Sequence, residues 1–170
     1  MELLFPSDIY INQEYLTKHI CILRNTENIY RQCAAVGHGF HLADSVDILP
    51  ENINIPDGKV SPENLYQYCI DYEMKIKAVG GLDFQLLGIG RTGHIGFNEP
   101  GSHLNSRTRS ITLDHITRVD AAPAFLGIDS VPRKAITMGI GTVLSAKRII
   151  LLAWGANKSE VLKETIEGDS

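Results

Sequence analysis

The sequence predicts an α/β fold: a three-layer α/β/α arrangement around a mostly parallel sheet. Three observations point to it. Phe84, Leu86, Leu87 and Ile89 form a short apolar run that ends in glycines. Before it, Leu65, Tyr68, Cys69, Tyr72, Ile76 and Val79 recur at helical spacing and stop at Gly80-Gly81. Lys147 to Trp154 form a second apolar run, closed by Gly155 and a candidate helix. Helix, glycine turn and buried strand make up half of a parallel α/β unit.

The opening, residues 1–45, is the least patterned part of the 170-residue chain. Ile9, Ile11, Tyr15 and Leu16 could begin a helix, and Ile20, Ile22 and Leu23 are apolar, but no strand is assigned here. His38 and His41 make a His-x-x-His pair, too few donors for zinc, which takes three or four protein ligands. These two are read as loop histidines.

Residues 46–170 form the single α/β domain. Residues 46–55 are short and extended, and Pro56-Asp57-Gly58 is a turn. Ser61 is expected to cap the next helix, with Pro62 at its first position and Glu63 near the positive end of its dipole. The stripe from Leu65 to Val79 is its core face. After the strand ending near Gly88 come a glycine loop, a polar loop with Arg107 and Arg109, and a short strand at residues 110–113. Residues 114–122 are expected to be helical up to Pro123, and residues 135–140 to form an apolar strand. The run from Lys147 to Trp154 reads as the clearest buried strand, and Asn157 as the cap of a final helix with Lys158 in its first turn.

Composition excludes several classes. A net charge of −4 gives no electrostatic attraction for nucleic acid or an anionic membrane. No apolar run approaches the ~20 residues of a membrane-spanning helix. The opening MELLFPSDIY lacks the basic start of a signal peptide. Cys21, Cys33 and Cys69 are odd in number and unpaired in spacing, which suits a reducing, cytoplasmic location.

The chemistry concentrates in residues 82–100, LDFQLLGIGRTGHIGFNEP. Gly88, Gly90 and Gly93 fit the spacing of a dinucleotide fingerprint, with Asp114 where an acidic ribose ligand would stand. That fingerprint needs a helix opening at its third glycine, and Gly96, Pro100 and Gly101 break any such helix. The better reading is His94 with Glu99. A carboxylate beside an imidazole fixes its tautomer and makes a proton shuttle near neutral pH. A His and a Glu that only bond loop backbone are the structural alternative. Arg107 and Arg109, beside serines and threonines, can hold a phosphate or remain a solvated pair. Lys158 at a helix start suits an anion, because amides and an ammonium converge there.

Gly93-His94-Ile95-Gly96-Phe97-Asn98-Glu99-Pro100, then Ser106-Arg107-Thr108-Arg109, resembles the glucosamine-6-phosphate deaminase/isomerase family. Val131-Pro132-Arg133-Lys134-Ala135-Ile136-Thr137-Met138-Gly139 and Gly155-Ala156-Asn157-Lys158 extend the similarity. The related 6-phosphogluconolactonases share the glycine loop and its His but not the Phe-Asn-Glu-Pro. The resemblance implies a Rossmann-like fold, incomplete here at both ends. It implies conversion of glucosamine 6-phosphate to fructose 6-phosphate and ammonia, with no metal or organic cofactor, in a homo-oligomer when complete. It implies that His94 opens the sugar ring, that Glu99 orients His94, and that Lys158 binds the substrate phosphate. Gly88, Gly90 and Gly93 would let backbone amides approach the sugar. Ser102, Arg107 and Arg109 would lie on an effector-binding surface between subunits.

The sequence departs from the family at four points. Thr92 stands where the family has an acidic residue, and an expected arginine falls near Pro123. The phosphate loop and the aspartate that moves a proton between carbons 1 and 2 have no counterpart in residues 1–45. The chain also stops short of the family's last strand and helix. These departures imply slow turnover by this chain alone, with a 6-phosphogluconolactonase-like hydrolase, a non-catalytic sugar-phosphate binder and an inactive fragment as alternatives.

Overall fold

A computed structural model describes residues 20–22, 54 and 56–168. In chain order the elements are β1 (Ile20–Ile22), α1 (Leu65–Ala78), β2 (Phe84–Gly88), β3 (Arg109–Thr112), α2 (His115–Ala121), β4 (Lys134–Thr137), α3 (Ile140–Val143), β5 (Arg148–Leu152) and α4 (Ser159–Glu167). Three-residue 3-10 turns at Ala122–Ala124, Ile128–Ser130 and Ala156–Lys158 join them. The histidines at 38 and 41 lie outside the described residues.

The architecture is α/β, with a parallel sheet in the order β1-β2-β5. Phe84 is in register with Ile20 on one side and Arg148 on the other. A strand at Ile20–Ile22 corrects the expectation that the opening segment supplies none. So short a strand carries too little periodicity to be marked in the sequence, and the ladder to β2 decides it. β3 and β4 form a separate antiparallel ladder, with Arg109 opposite Thr137.

Helix α1 opens at Leu65, after the expected start. Residues 61–64 close a turn in which the Asn64 N–H donates to the Ser61 carbonyl (3.0 Å). The Ser61 hydroxyl is engaged with the Glu63 carboxylate, which that bond holds below its ordinary pKa, so it caps no helix amide. The stripe otherwise behaves as spaced: Cys69 and Tyr72 are buried, though Val79 is 52% exposed. The Tyr72 hydroxyl donates to the Asn54 carbonyl (2.9 Å), and the Tyr68 hydroxyl accepts from the Asp57 N–H (2.6 Å). Through these tyrosines α1 holds the segment that leads into it. Gly80 and Gly81 end the helix with φ near +90°, a backbone conformation that side chains resist.

The core gathers Tyr72 from α1, Leu82 and Leu87 around β2, Met138 after β4 and Val143 from α3. In β2 the alternation puts Gln85 and Leu87 inward and leaves Phe84 and Leu86 partly exposed. The run read as the clearest buried strand is the most exposed one. Ile149, Ile150, Leu151 and Leu152 of β5 are 39–45% exposed, and Trp154 is 74% exposed. Among the described residues β5 ladders only with β2, so apolarity there reports what the strand could bury rather than what covers it.

Met138 is completely buried, whereas Ile166 on α4 is 78% exposed. Met138→Ala should cost about 2–5 kcal/mol, the range for truncating a core aliphatic side chain. Ile166→Ala should stay within about 0.5 kcal/mol. Urea denaturation of the two variants checks the contrast.

Candidate active site

The site is the loop that leaves the carboxyl end of β2. Its shape comes from hydrogen bonds between its own residues. The Gly90 N–H donates to the His94 carbonyl (2.8 Å) and the Gly93 N–H to the Gly90 carbonyl (3.1 Å). Gly93 and Gly96 take positive φ, 82° and 59°. Gly90 is required for space: the His94 ring lies against its α-carbon, where a Cβ would collide with the imidazole. The N–H groups of Gly90 and Gly93 are themselves taken up in closing the loop. Gly88 differs, with nothing within 4 Å of where its Cβ would be. It leaves open space at the strand end.

His94 and Glu99 meet. Nδ1 lies 3.2 Å from Glu99 Oε2, and the two side chains are 14% and 18% exposed. Two threonines complete the cluster. Thr92 Oγ1 is 2.9 Å from His94 Nδ1 and 3.3 Å from Glu99 Oε2. The Thr117 hydroxyl, from α2, donates to Glu99 Oε1 (2.6 Å). Proton counting assigns the ring. A carboxylate only accepts, so the Thr92 hydroxyl proton goes to Oε2 and its lone pair faces Nδ1. Nδ1 must then carry the hydrogen, shared between Thr92 and Glu99. The reverse tautomer would set the Nδ1 lone pair against the carboxylate. Neutral His94 therefore presents a bare Nε2, able to take a proton from a substrate.

The residue before Glu99 anchors the loop. Asn98 is buried, and its Nδ2 donates to the Met138 carbonyl (2.8 Å) and the Ile95 carbonyl (3.1 Å). Its Oδ1 accepts from Arg109 Nη1 (2.8 Å). The Phe97 N–H donates to Thr137 Oγ1 (3.2 Å), so the end of β4 supports the loop from below.

Arg109 also donates to Ser102 Oγ (3.1 Å), and burial pulls its pKa down from the ordinary arginine value. Ser102 and Arg109 share a cavity of about 490 Å³ with Phe97, Glu99 and Ser106. Arg107 does not join them, which corrects the expected arginine pair. It is 62% exposed and reaches towards Glu73 Oε2 (3.9 Å) on α1. It precedes β3, whereas Arg109 opens that strand. Glu73 also accepts from Thr142 Oγ1 (2.6 Å) and the Thr108 N–H (2.8 Å).

Lys158 is the residue before α4, one position earlier than expected, and no side chain caps that helix. Its backbone N–H donates to the Gly155 carbonyl (3.1 Å). A Cβ on Gly93 would lie 3.8 Å from Val161 Cγ2, so the first turn of α4 packs beside the glycine loop. This brings Lys158 to the same sheet edge as His94. Sequence reasoning missed Thr117, Asn98 as an anchor, Glu73 and the Arg91–Asp120 ion pair (2.6 Å). Only Asn98, inside the motif, carried a signal. Among the described residues no group of three His, Cys, Asp or Glu is placed to hold a metal ion. No helix there is long and apolar enough to cross a membrane.

A parallel strand ending in a glycine loop, with a histidine beside a carboxylate at that end, places this chain among α/β proteins that carry polar side chains at the carboxyl edge of the sheet. Residues 39–170 match the family described as glucosamine-6-phosphate isomerases/6-phosphogluconolactonase, and the chain belongs to that family. A putative glucosamine-6-phosphate deaminase-like protein of Bacteroides thetaiotaomicron is 50% identical over 127 residues, 75% of this chain and 19% of that protein. The glucosamine-6-phosphate deaminase of Shewanella woodyi is 51% identical over 127 residues, 75% of this chain and 47% of the relative. A solved structure described as a monomeric glucosamine-6-phosphate deaminase superposes with a TM-score of 0.71 at 47% identity, over 75% of this chain and 52% of that one. The chain thus spans about half the length of these two deaminases.

Gly90→Ala tests the loop packing. The added methyl enters the space of the His94 ring, and overpacking of this kind costs about 1–3 kcal/mol. The expected result is lower stability in urea together with displaced His94 ring signals in the NMR spectrum.

Proposed function

We propose that this chain carries the ring-opening half of a glucosamine-6-phosphate deaminase site. The observation that supports the reading best is the contact of His94 Nδ1 with both Glu99 Oε2 and Thr92 Oγ1, from which a neutral ring with a free Nε2 follows. In this reading Nε2 shuttles the proton between the sugar's anomeric hydroxyl and its ring oxygen as the ring opens. Lys158, the residue before α4, pairs with the substrate phosphate. The open space over Gly88 takes the sugar carbons. Isomerisation then moves a hydrogen between carbons 2 and 1 and leaves an imine at carbon 2. Water adds there, ammonia departs, and fructose 6-phosphate remains. Among the described residues no second carboxylate hydrogen-bonds to His94, so the hydrogen shift falls to a base outside the cluster. The substrate class is a phosphorylated amino sugar, and the reaction needs acid and base groups alone.

Ser102 and Arg109 form a second anion position in this reading. They sit behind Glu99, and the Ser102 N–H donates to the Glu99 carbonyl (3.0 Å). An effector phosphate there would compete with Asn98 for Arg109, and self-association would bring a second chain to the cavity.

Titrating glucosamine 6-phosphate into the ¹⁵N-labelled chain should shift the amide signals of Gly88, His94 and Lys158 together. Ammonia release is expected well below the ~10 s⁻¹ typical of enzymes. His94→Gln should lower it a further ~10²–10⁴-fold, the usual cost of a lost general acid–base group. Binding without ammonia release would instead support a sugar-phosphate binder. Hydrolysis of 6-phosphogluconolactone would move the assignment to the lactonases. No shift at these three residues would end the sugar-phosphate reading.

A further inference from the structure

Thr117 stands far from the motif in sequence and makes the shortest hydrogen bond to the Glu99 carboxylate. We infer that Thr117 is a positioning residue: it fixes Glu99 in the orientation that holds the His94 Nδ1–H, and so keeps Nε2 free of a proton. The inference rests on the proton-transfer reading of His94, but it concerns the resting ring and needs no turnover to be measured.

Three observations carry it. Thr117 is 7% exposed, and its hydroxyl donates to Oε1 at 2.6 Å, the length of a charge-assisted bond. Glu99 Oε2 then faces Thr92 and His94, so each carboxylate oxygen has its own task. If the Thr117 hydroxyl is removed, the carboxylate has no donor on Oε1 in this cluster and loses the tie that fixes its plane against the ring. Second, α2 grips the loop at both ends. Thr117 and Asp120 are three residues apart and share a helix face. Asp120 accepts from Arg91 Nη2 (2.6 Å) and Nε (2.9 Å), while Thr117 holds Glu99. Arg91 and Glu99 bracket His94, so α2 braces the loop across its active residue. Third, the apolar residues of α2 do not explain its placement: Ile116 and Val119 are 41% and 42% exposed. The helix meets the loop through polar ties whose geometry matters to the imidazole.

The test is a long-range ¹H–¹⁵N spectrum of the His94 ring, recorded where the ring is neutral. The unmutated chain should show the Nδ1–H tautomer. In Thr117→Val, which keeps the side-chain shape, the Nε2–H fraction should rise severalfold, and Thr117→Ser should restore the original spectrum. An unchanged spectrum in Thr117→Val, or failure of Thr117→Ser to restore it, would overturn the inference. Should the valine variant fail to fold, the unmutated chain decides. A Thr117 hydroxyl proton protected from solvent exchange supports the assignment, and a rapidly exchanging one overturns it. Loss of glucosamine 6-phosphate binding in the titration above would sink the substrate reading without touching this result. Where ammonia release is measurable, Thr117→Val should lower kcat with KM little changed, because the hydroxyl contacts Glu99 and not substrate.

Discussion

The buried amide of Asn98 is the interaction on which the site depends. It joins three separate pieces of the chain: the glycine loop through Ile95, the end of β4 through Met138, and β3 through Arg109. An amide suits this place because it offers donors and an acceptor at once, and a buried carbonyl left without a donor would cost about 1–3 kcal/mol. Leucine of similar size would fill the volume but would take one donor each from the Met138 and Ile95 carbonyls and one acceptor from the Arg109 guanidinium. Because Asn98 is fixed, the next residue, Glu99, is fixed in backbone position, and with it the reach of its carboxylate to His94.

The same anchoring puts two kinds of chemistry back to back. On one side of residues 98–99 lies the imidazole with its carboxylate and two hydroxyls. On the other lie Ser102 and Arg109 at the cavity. The two sides share the Asn98 side chain and the Ser102-to-Glu99 backbone bond. Arg109 and Glu99 are thus joined through one side chain, that of Asn98, and through the backbone that carries it.

Polar ties also organise the parts around the site. Glu73 accepts from Thr108 and Thr142, joining α1 to the segment before β3 and to α3. Gly139 and Gly141 let α3 approach residues 104–106 so closely that a Cβ on Gly139 would strike the Ser106 carbonyl. The Ser106 carbonyl accepts from the Gly141 N–H (3.0 Å) and the Ser106 hydroxyl from the Ile140 N–H (2.9 Å). The segment that leads into β3 is thus held at Ser106 by α3 and at Thr108 by Glu73.

The sequence by itself determined the local facts. Apolar periodicity marked α1 and β2, glycine chemistry marked the turn at 80–81, and the His94–Glu99 pair was legible because both residues lie within one short loop whose glycines force it to fold back. The tertiary structure decided everything that depends on what meets what. β5 has the composition of a buried strand, yet it stands exposed, since burial belongs to a strand's neighbours and not to its residues. Ile20–Ile22 became a strand because β2 offered it a ladder. Arg107 and Arg109 look equivalent in the chain but serve different partners, one beside Glu73 and the other on Asn98 and Ser102. Thr117 was invisible for the same reason. A lone threonine at the start of a polar helix has no signature, and its hydroxyl acquired a role only when folding brought it against a carboxylate eighteen residues away in sequence.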